Sequence, residues 1–119
     1  MKKGILIDVL KKSFTEVEVG DYKDIQKKIG VRNFDVVEID EANDVYVDDE
    51  GLLNLTQFTM FFMYKGFPNP IAGNGLVLGI NHEDGDSIST TLTVEHLKEN
   101  VTFYTMKDIQ RMVANGELQ

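Results

Sequence analysis

The chain has no cysteine and no tryptophan, and only two prolines and two histidines among 119 residues. Without cysteine there is no disulfide, no thiolate metal site and no thiol nucleophile, a composition that suits a reducing compartment. Long apolar runs are missing too. The uncharged stretch 51–64 includes Asn54, Thr56, Gln57 and Thr59; it is too short and too polar to cross a bilayer, so no membrane partner is expected. Lys2 and Lys3 precede Ile5, Leu6 and Ile7, but Asp8 breaks the apolar run at once and no small-residue cleavage site follows. The chain is therefore expected in the cytoplasm.

Basic residues become scarce after Arg32. Residues 1–32 hold eight of the 12 Lys and Arg and five acids, so the net charge of −8 divides into +3 there and −11 in the remainder. Residues 33–64 carry eight acids (Asp35, Glu38, Asp40, Glu41, Asp44, Asp48, Asp49 and Glu50) and no base. Such a surface repels phosphate backbones, so direct nucleic-acid binding is not expected. The block has two readings: a solvated, acid-rich connection between strands that keeps the protein soluble, or a mimic of the DNA phosphate array. Mimicry wants evenly spaced acids along an extended surface, whereas these cluster near two turns.

With 42% hydrophobic residues, a chain of this length is expected to form one domain, residues 1–119, hiding roughly two-thirds of its unfolded surface. Apolar residues 4–10 and the alternating run 14–19 predict a β-hairpin across Lys11, Lys12 and Ser13. Asp21 is placed to cap a short helix carrying Tyr22, Ile25 and Ile29 at helical spacing, and Gly30 to stop it. Residues 34–39 and 45–47 predict two strands joined by an acidic turn. Leu52, Leu55, Phe58 and Phe62 fit a helix, while 59–64 alone fits a buried strand; a short helix or turn at 52–58 followed by a strand is expected. Further strands are expected at 76–80 and 87–91. A capped helical turn at Thr93, an extended stretch at 101–104 and an amphipathic helix with Met106, Ile109, Met112 and Val113 on its apolar side complete the chain. The expected fold class is α+β: a mostly antiparallel sheet with two or three short helices packed on one face.

Catalytic constellations are thin. His82 and His96 each have carboxylates nearby, so a mixed metal site can be written down, yet His82 lies in a polar turn and His96 on a short polar helix, which points to solvent. Asp84, Gly85 and Asp86, and Asp48 to Gly51, resemble fragments of calcium loops without the spaced ligand series or closing Glu. Ser13, Ser87 and Ser89 sit in no nucleophile-elbow context. No phosphate loop or dinucleotide fingerprint occurs. No metal, cofactor or catalytic residue is assigned, and no enzymatic activity is expected.

The least ordinary segment is 58–79. It contains five of the eleven aromatic residues, both prolines, a Gly-Asn-Gly turn, and Lys65 as the first base after Arg32. Backbone N–H groups around Asn69, Gly73, Asn74 and Gly75 could cradle an anion, with Phe62, Tyr64 or Phe67 stacking on a base and Lys65, Arg32 or Arg111 meeting phosphate. Two other readings stand beside this one. In the first the aromatics are core and the glycines supply positive φ; in the second the aromatics form a subunit interface and the chain is a homo-oligomer.

The order of residues 45–52 (VYVDDEGL), Phe61 and Phe62, 66–79 (GFPNPIAGNGLVLG) and 84–87 (DGDS) resembles a family of small uncharacterised proteins encoded by phages, prophages and conjugative elements. The likeness spans about residues 43–104. It implies context rather than mechanism: accessory genes of mobile elements commonly manage host enzymes or host immunity. The reading that follows is a non-catalytic accessory binding protein that counters host defence by sequestering a small, anionic, nucleotide-like ligand or by engaging a host protein. The alternative is an acidic protein-binding inhibitor, a nucleic-acid mimic directed at a host nucleic-acid enzyme.

Overall fold

The computed structural model describes residues 1–118. In chain order its elements are β1 (Lys2–Asp8), β2 (Ser13–Val19), α1 (Tyr22–Ile29), β3 (Phe34–Glu38), β4 (Asn43–Asp48), β5 (Met60–Tyr64) and β6 (Ile71–Ala72). These are followed by β7 (Gly75–Ile80), β8 (Ser87–Ile88), α2 (Val94–Asn100), β9 (Val101–Thr105) and α3 (Met106–Ala114). The fold is α+β with antiparallel pairing throughout. There are two sheets. A six-stranded sheet runs β2-β1-β7-β4-β3 with β8 on the end of β7, and a three-stranded sheet runs β6-β5-β9.

Alternation along the strands of the large sheet gives it two apolar faces. Ile5, Ile7, Val45, Val47 and Val77 point to one side, where they meet Phe62 of β5 and Leu97 of α2. Leu76 and Leu78 of β7 and Val19 of β2 point to the other, where Ile25 and Ile29 of α1 cover them. The helices thus divide between the two faces of the large sheet rather than sharing one, because a sheet apolar on both sides needs a cover on each. The small sheet and α2 form one cover and α1 the other.

Local signals explain most boundaries. Asp21 accepts the Asp24 N–H at the start of α1, and Gly30 ends it at φ 73°, a left-handed conformation that suits glycine. Asp24 also accepts the Gly20 N–H and pairs with Lys28 at 3.2 Å; these contacts, the backbone bond foremost, hold its carboxyl below the usual value. At α3, Thr105 and Asp108 form a reciprocal capping box, and the bond from the Thr105 N–H lowers the Asp108 carboxyl in the same way.

Asp44 behaves oppositely. It lies buried on β4, and burial first, then the neighbouring Glu38, raises its pKa above 3.8. A raised carboxyl imposes no penalty below 3.8, its unfolded value, and a full one once pH exceeds the folded value. Asp44→Asn should therefore raise the melting temperature at neutral pH, and the gain should vanish in thermal melts below about pH 3, where both states hold the proton. An equal gain at both pH values would show that the charge on Asp44 is not the cause.

Candidate functional site

The 58–79 segment is cut into parts by β6. Phe62 is fully buried between the two sheets, so it cannot stack on a ligand. Gly75 is buried beside it: a Cβ there would lie 2.8 Å from both Phe62 Cζ and Val45 Cγ2, so glycine is required for the sheets to approach. Asn74 is committed as well, its Oδ1 accepting the Val9 N–H at 2.9 Å. Gly73, at φ 89°, donates its N–H to the Met60 carbonyl at 3.0 Å. These bonds turn the chain from β6 into β7, and they take up the Gly73 N–H and the Asn74 side-chain oxygen, two of the groups expected to hold a ligand.

The other expected residues lie elsewhere. Tyr64, Lys65, Phe67 and Asn69 sit at the tip of the β5–β6 connection, beyond the opposite end of β6 from Gly73 and Asn74. Tyr64 and Phe67 rings are 5.7 Å apart, and the exposed Lys65 donates its N–H to the Asn100 carbonyl. Arg32 is exposed in the loop after α1; Arg111 is exposed on α3 and paired with Asp108 at 3.1 Å. The structure therefore does not gather these ten residues into one site.

Sequence reasoning overlooked a polar junction beside Tyr64. The Tyr64 hydroxyl lies 2.7 Å from His96 Nε2, with the rings 5.8 Å apart, so His96 is half-buried and engaged rather than solvent-facing as expected. Burial, and secondarily Asp40, raises the Tyr64 pKa. Asp40 in turn accepts from fully buried Asn43 at 3.1 Å, and Asn43 also donates to Thr91 at 2.9 Å and accepts from the Thr91 N–H and the Thr90 hydroxyl. The Tyr64–His96 and Asn43–Thr91 contacts span 32 and 48 positions in sequence, which leaves no local signal for them. His82 is exposed, as expected, and meets the Glu41 carbonyl. Among the described residues no cluster of three or more His, Asp or Glu is arranged to hold a metal.

Three clefts adjoin one another in series on the surface. The first, about 350 Å³, is lined by the apolar Val47, Leu52, Leu53, Pro70, Ile71 and Ala72 and by the acidic Asp35, Asp48 and Asp49. The second, about 300 Å³, shares Asp48 with the first and includes Leu10, Met60, Gly73 and Asn74. The third, about 410 Å³, shares Phe58 with the second and is completed by Gln57, Thr105, Met106, Lys107 and Gln110. Leu53 is 79% and Phe58 77% exposed, an unusual display of large apolar side chains on one segment. No helix among the described residues is long and apolar enough to cross a membrane.

Neither the curated proteins nor the solved structures contain a match to this chain. Against known families, residues 1–113 match the domain of unknown function DUF3846, and with nearly its whole length covered the chain belongs to that family.

Proposed function

We propose that this member of the DUF3846 family is a non-catalytic binding protein whose first cleft receives a segment of a partner protein in which basic residues flank an aliphatic side chain. One observation carries this reading: Asp35, Asp48 and Asp49 line the same cleft as Val47, Pro70, Ile71 and Ala72 and the exposed Leu52 and Leu53. The apolar lining supplies burial while the acidic residues select for positive charge and speed encounter. A nucleotide-like ligand has less support, because Asn74, Gly73 and Gly75 are spent on the fold and Asp35, Asp48 and Asp49 would oppose phosphate. The setting we propose is a phage or other mobile element, whose product acts in the cytoplasm of the host on a protein of host defence, with nucleic-acid enzymes and their basic grooves the foremost targets.

Selection from a displayed library of random peptides tests the recognition chemistry. Enriched peptides should pair Lys or Arg with Leu, Ile or Val. Their binding in calorimetry should weaken about tenfold or more with Asp49→Lys and with Leu53→Asp, two changes at exposed positions. Enrichment of acidic peptides, indifference to both variants, or tight binding of a nucleotide from a parallel panel would each overturn the reading. The defence role has its own measurement: a restricting host that expresses the chain should plate unmodified phage more efficiently, and Asp49→Lys should remove the gain.

A further inference from the structure

β3 is the last strand of the large sheet, so one of its edges has no neighbour in that sheet. The hydrogen bonds at its two ends fix which backbone groups lie along that edge. The Asp49 N–H donates to the Asn33 carbonyl at 3.2 Å, and the Ile39 N–H donates to the Asn43 carbonyl at 3.0 Å. Both pairs continue the β3–β4 register, in which Phe34 faces Asp48 and Glu38 faces Asp44. Hydrogen-bonded and non-hydrogen-bonded pairs alternate in an antiparallel ladder, so Asp35 and Val37 direct their backbone groups to β4. Phe34, Val36 and Glu38 turn theirs to the open edge. At its middle the Val36 N–H donates to the carboxylate of the adjacent Asp35 at 2.8 Å, and Val36 is 42% exposed.

We propose, resting on the peptide-binding reading above, that the basic partner segment binds as an added strand along this edge, antiparallel to β3 and paired with Phe34, Val36 and Glu38. Open edge groups attract an extended chain through its backbone, and side chains choose which chain. β3 carries Asp35 and Glu38 and lies within residues 33–64, which hold eight acids and no base. A second copy would bring a like-charged strand to the edge, whereas a basic segment is drawn to it. Asp35 links the edge to the first cleft, because it lines that cleft and also holds the Val36 N–H. In the complex the Val36 N–H passes from Asp35 to a carbonyl of the added strand. The freed carboxylate then meets the side chain directly opposite, on the same face of the extended sheet. The chemistry of β3 thus dictates the partner: a base opposite Asp35 and opposite Glu38, and aliphatic residues opposite Phe34, Val36 and Val37. In antiparallel order that is Lys-Val-Val-Lys-Val.

The probe is that peptide, acetylated and amidated, titrated into the chain by calorimetry. Paired with β3, its first, third and fifth residues turn their N–H groups toward Glu38, Val36 and Phe34, and its second and fourth turn theirs away. N-methylation of the third residue should therefore weaken binding about tenfold or more, while N-methylation of the second or fourth should change it less than about twofold. Val36→Pro removes the edge N–H without touching a bond to β4, a change that edge strands tolerate. It should weaken binding as the third methyl does and leave the circular dichroism spectrum unchanged. Equal effects of methylation at all three positions, indifference to Val36→Pro, or no binding of this peptide by a chain that binds library-selected basic and aliphatic peptides would overturn the added strand and leave the peptide-binding role standing. Failure of every basic and aliphatic peptide would remove both. A dimer in sedimentation equilibrium that Val36→Pro dissolves would assign the edge to a second copy and overturn the inference as well.

Discussion

Phe62→Ala should cost about 3–5 kcal/mol of folding free energy, whereas Phe58→Ala, four residues earlier in the same aromatic run, should change it by less than about 0.5 kcal/mol in dilute solution. The contrast follows from burial alone. Phe62 is fully buried and is the side chain through which β5 meets Ile5, Ile7, Val45, Val47 and Val77 of the large sheet. Its ring fills the space that glycine at position 75 leaves open, so truncation leaves a cavity bounded by two sheets whose strands are fixed by their ladders. Backbone held on both sides cannot collapse into such a void, and incomplete collapse is what makes large-to-small changes expensive. Urea denaturation followed by circular dichroism measures both variants. A loss of less than about 1 kcal/mol for Phe62→Ala would mean that the ring does not join the two sheets. The same burial removes Phe62 from any direct contact with a ligand.

What the sequence disclosed was what is decided locally. The β1–β2 hairpin, the Asp21 and Gly30 caps of α1, the Thr93 start of α2 and the closing helix all depend on residues within a few positions of one another, and all are found where local chemistry puts them. The 52–58 stretch shows how a periodic signal fails to become a helix. Leu52, Leu55 and Phe58 have helical spacing, but Thr59 Oγ1 accepts the Thr56 N–H and Thr56 Oγ1 accepts the Phe58 N–H, so side chains take backbone donors that a helix would need. The segment is a turn, and its leucines and Phe58 face outward.

Long-range placement was not legible. The two-residue strand β6 is too short to announce itself, yet it separates Tyr64, Lys65 and Phe67 from Gly73 and Asn74 and so dissolves the loop that looked like a single anion site. The division into two sheets rests on β9 pairing with β5, with Tyr64 opposite Val101 and Met60 opposite Thr105. Nothing near either strand encodes that choice. The acid-rich block was visible in composition, but only the fold shows that Asp35, Asp48 and Asp49 line one cleft with Leu52, Leu53 and Ile71, since the pairing of β3 with β4 brings Asp35 and Asp48 close.

Asn43→Ala should remove about 2–4 kcal/mol, because it leaves more than one buried group without a partner and each such group costs about 1–3 kcal/mol. Asn43 is fully buried, and its amide ties the end of the β3–β4 turn, through Asp40, to Thr90 and Thr91 on the approach to α2. Thr90 is itself buried and spends its hydroxyl on Asn43 while accepting the Leu92 N–H. The network therefore sets the position from which Thr93 caps α2, and with it the placement of core Leu97 and of His96 against Tyr64. Asn43→Asp separates lost packing from lost hydrogen bonding. It preserves shape and the acceptor toward Thr90 and Thr91 but exchanges the donor toward Asp40 for a like charge, so its folded-state carboxyl is raised. Its stability should match the parent most closely below about pH 4 and fall as pH rises through that raised value, while the Asn43→Ala loss stays nearly constant across the same range. Thermal melts of the two variants from acid to neutral pH make the comparison. A flat Asn43→Asp profile would remove Asp40 from the network, and an Asn43→Ala loss under about 1 kcal/mol would show that α2 is positioned by Leu97 alone.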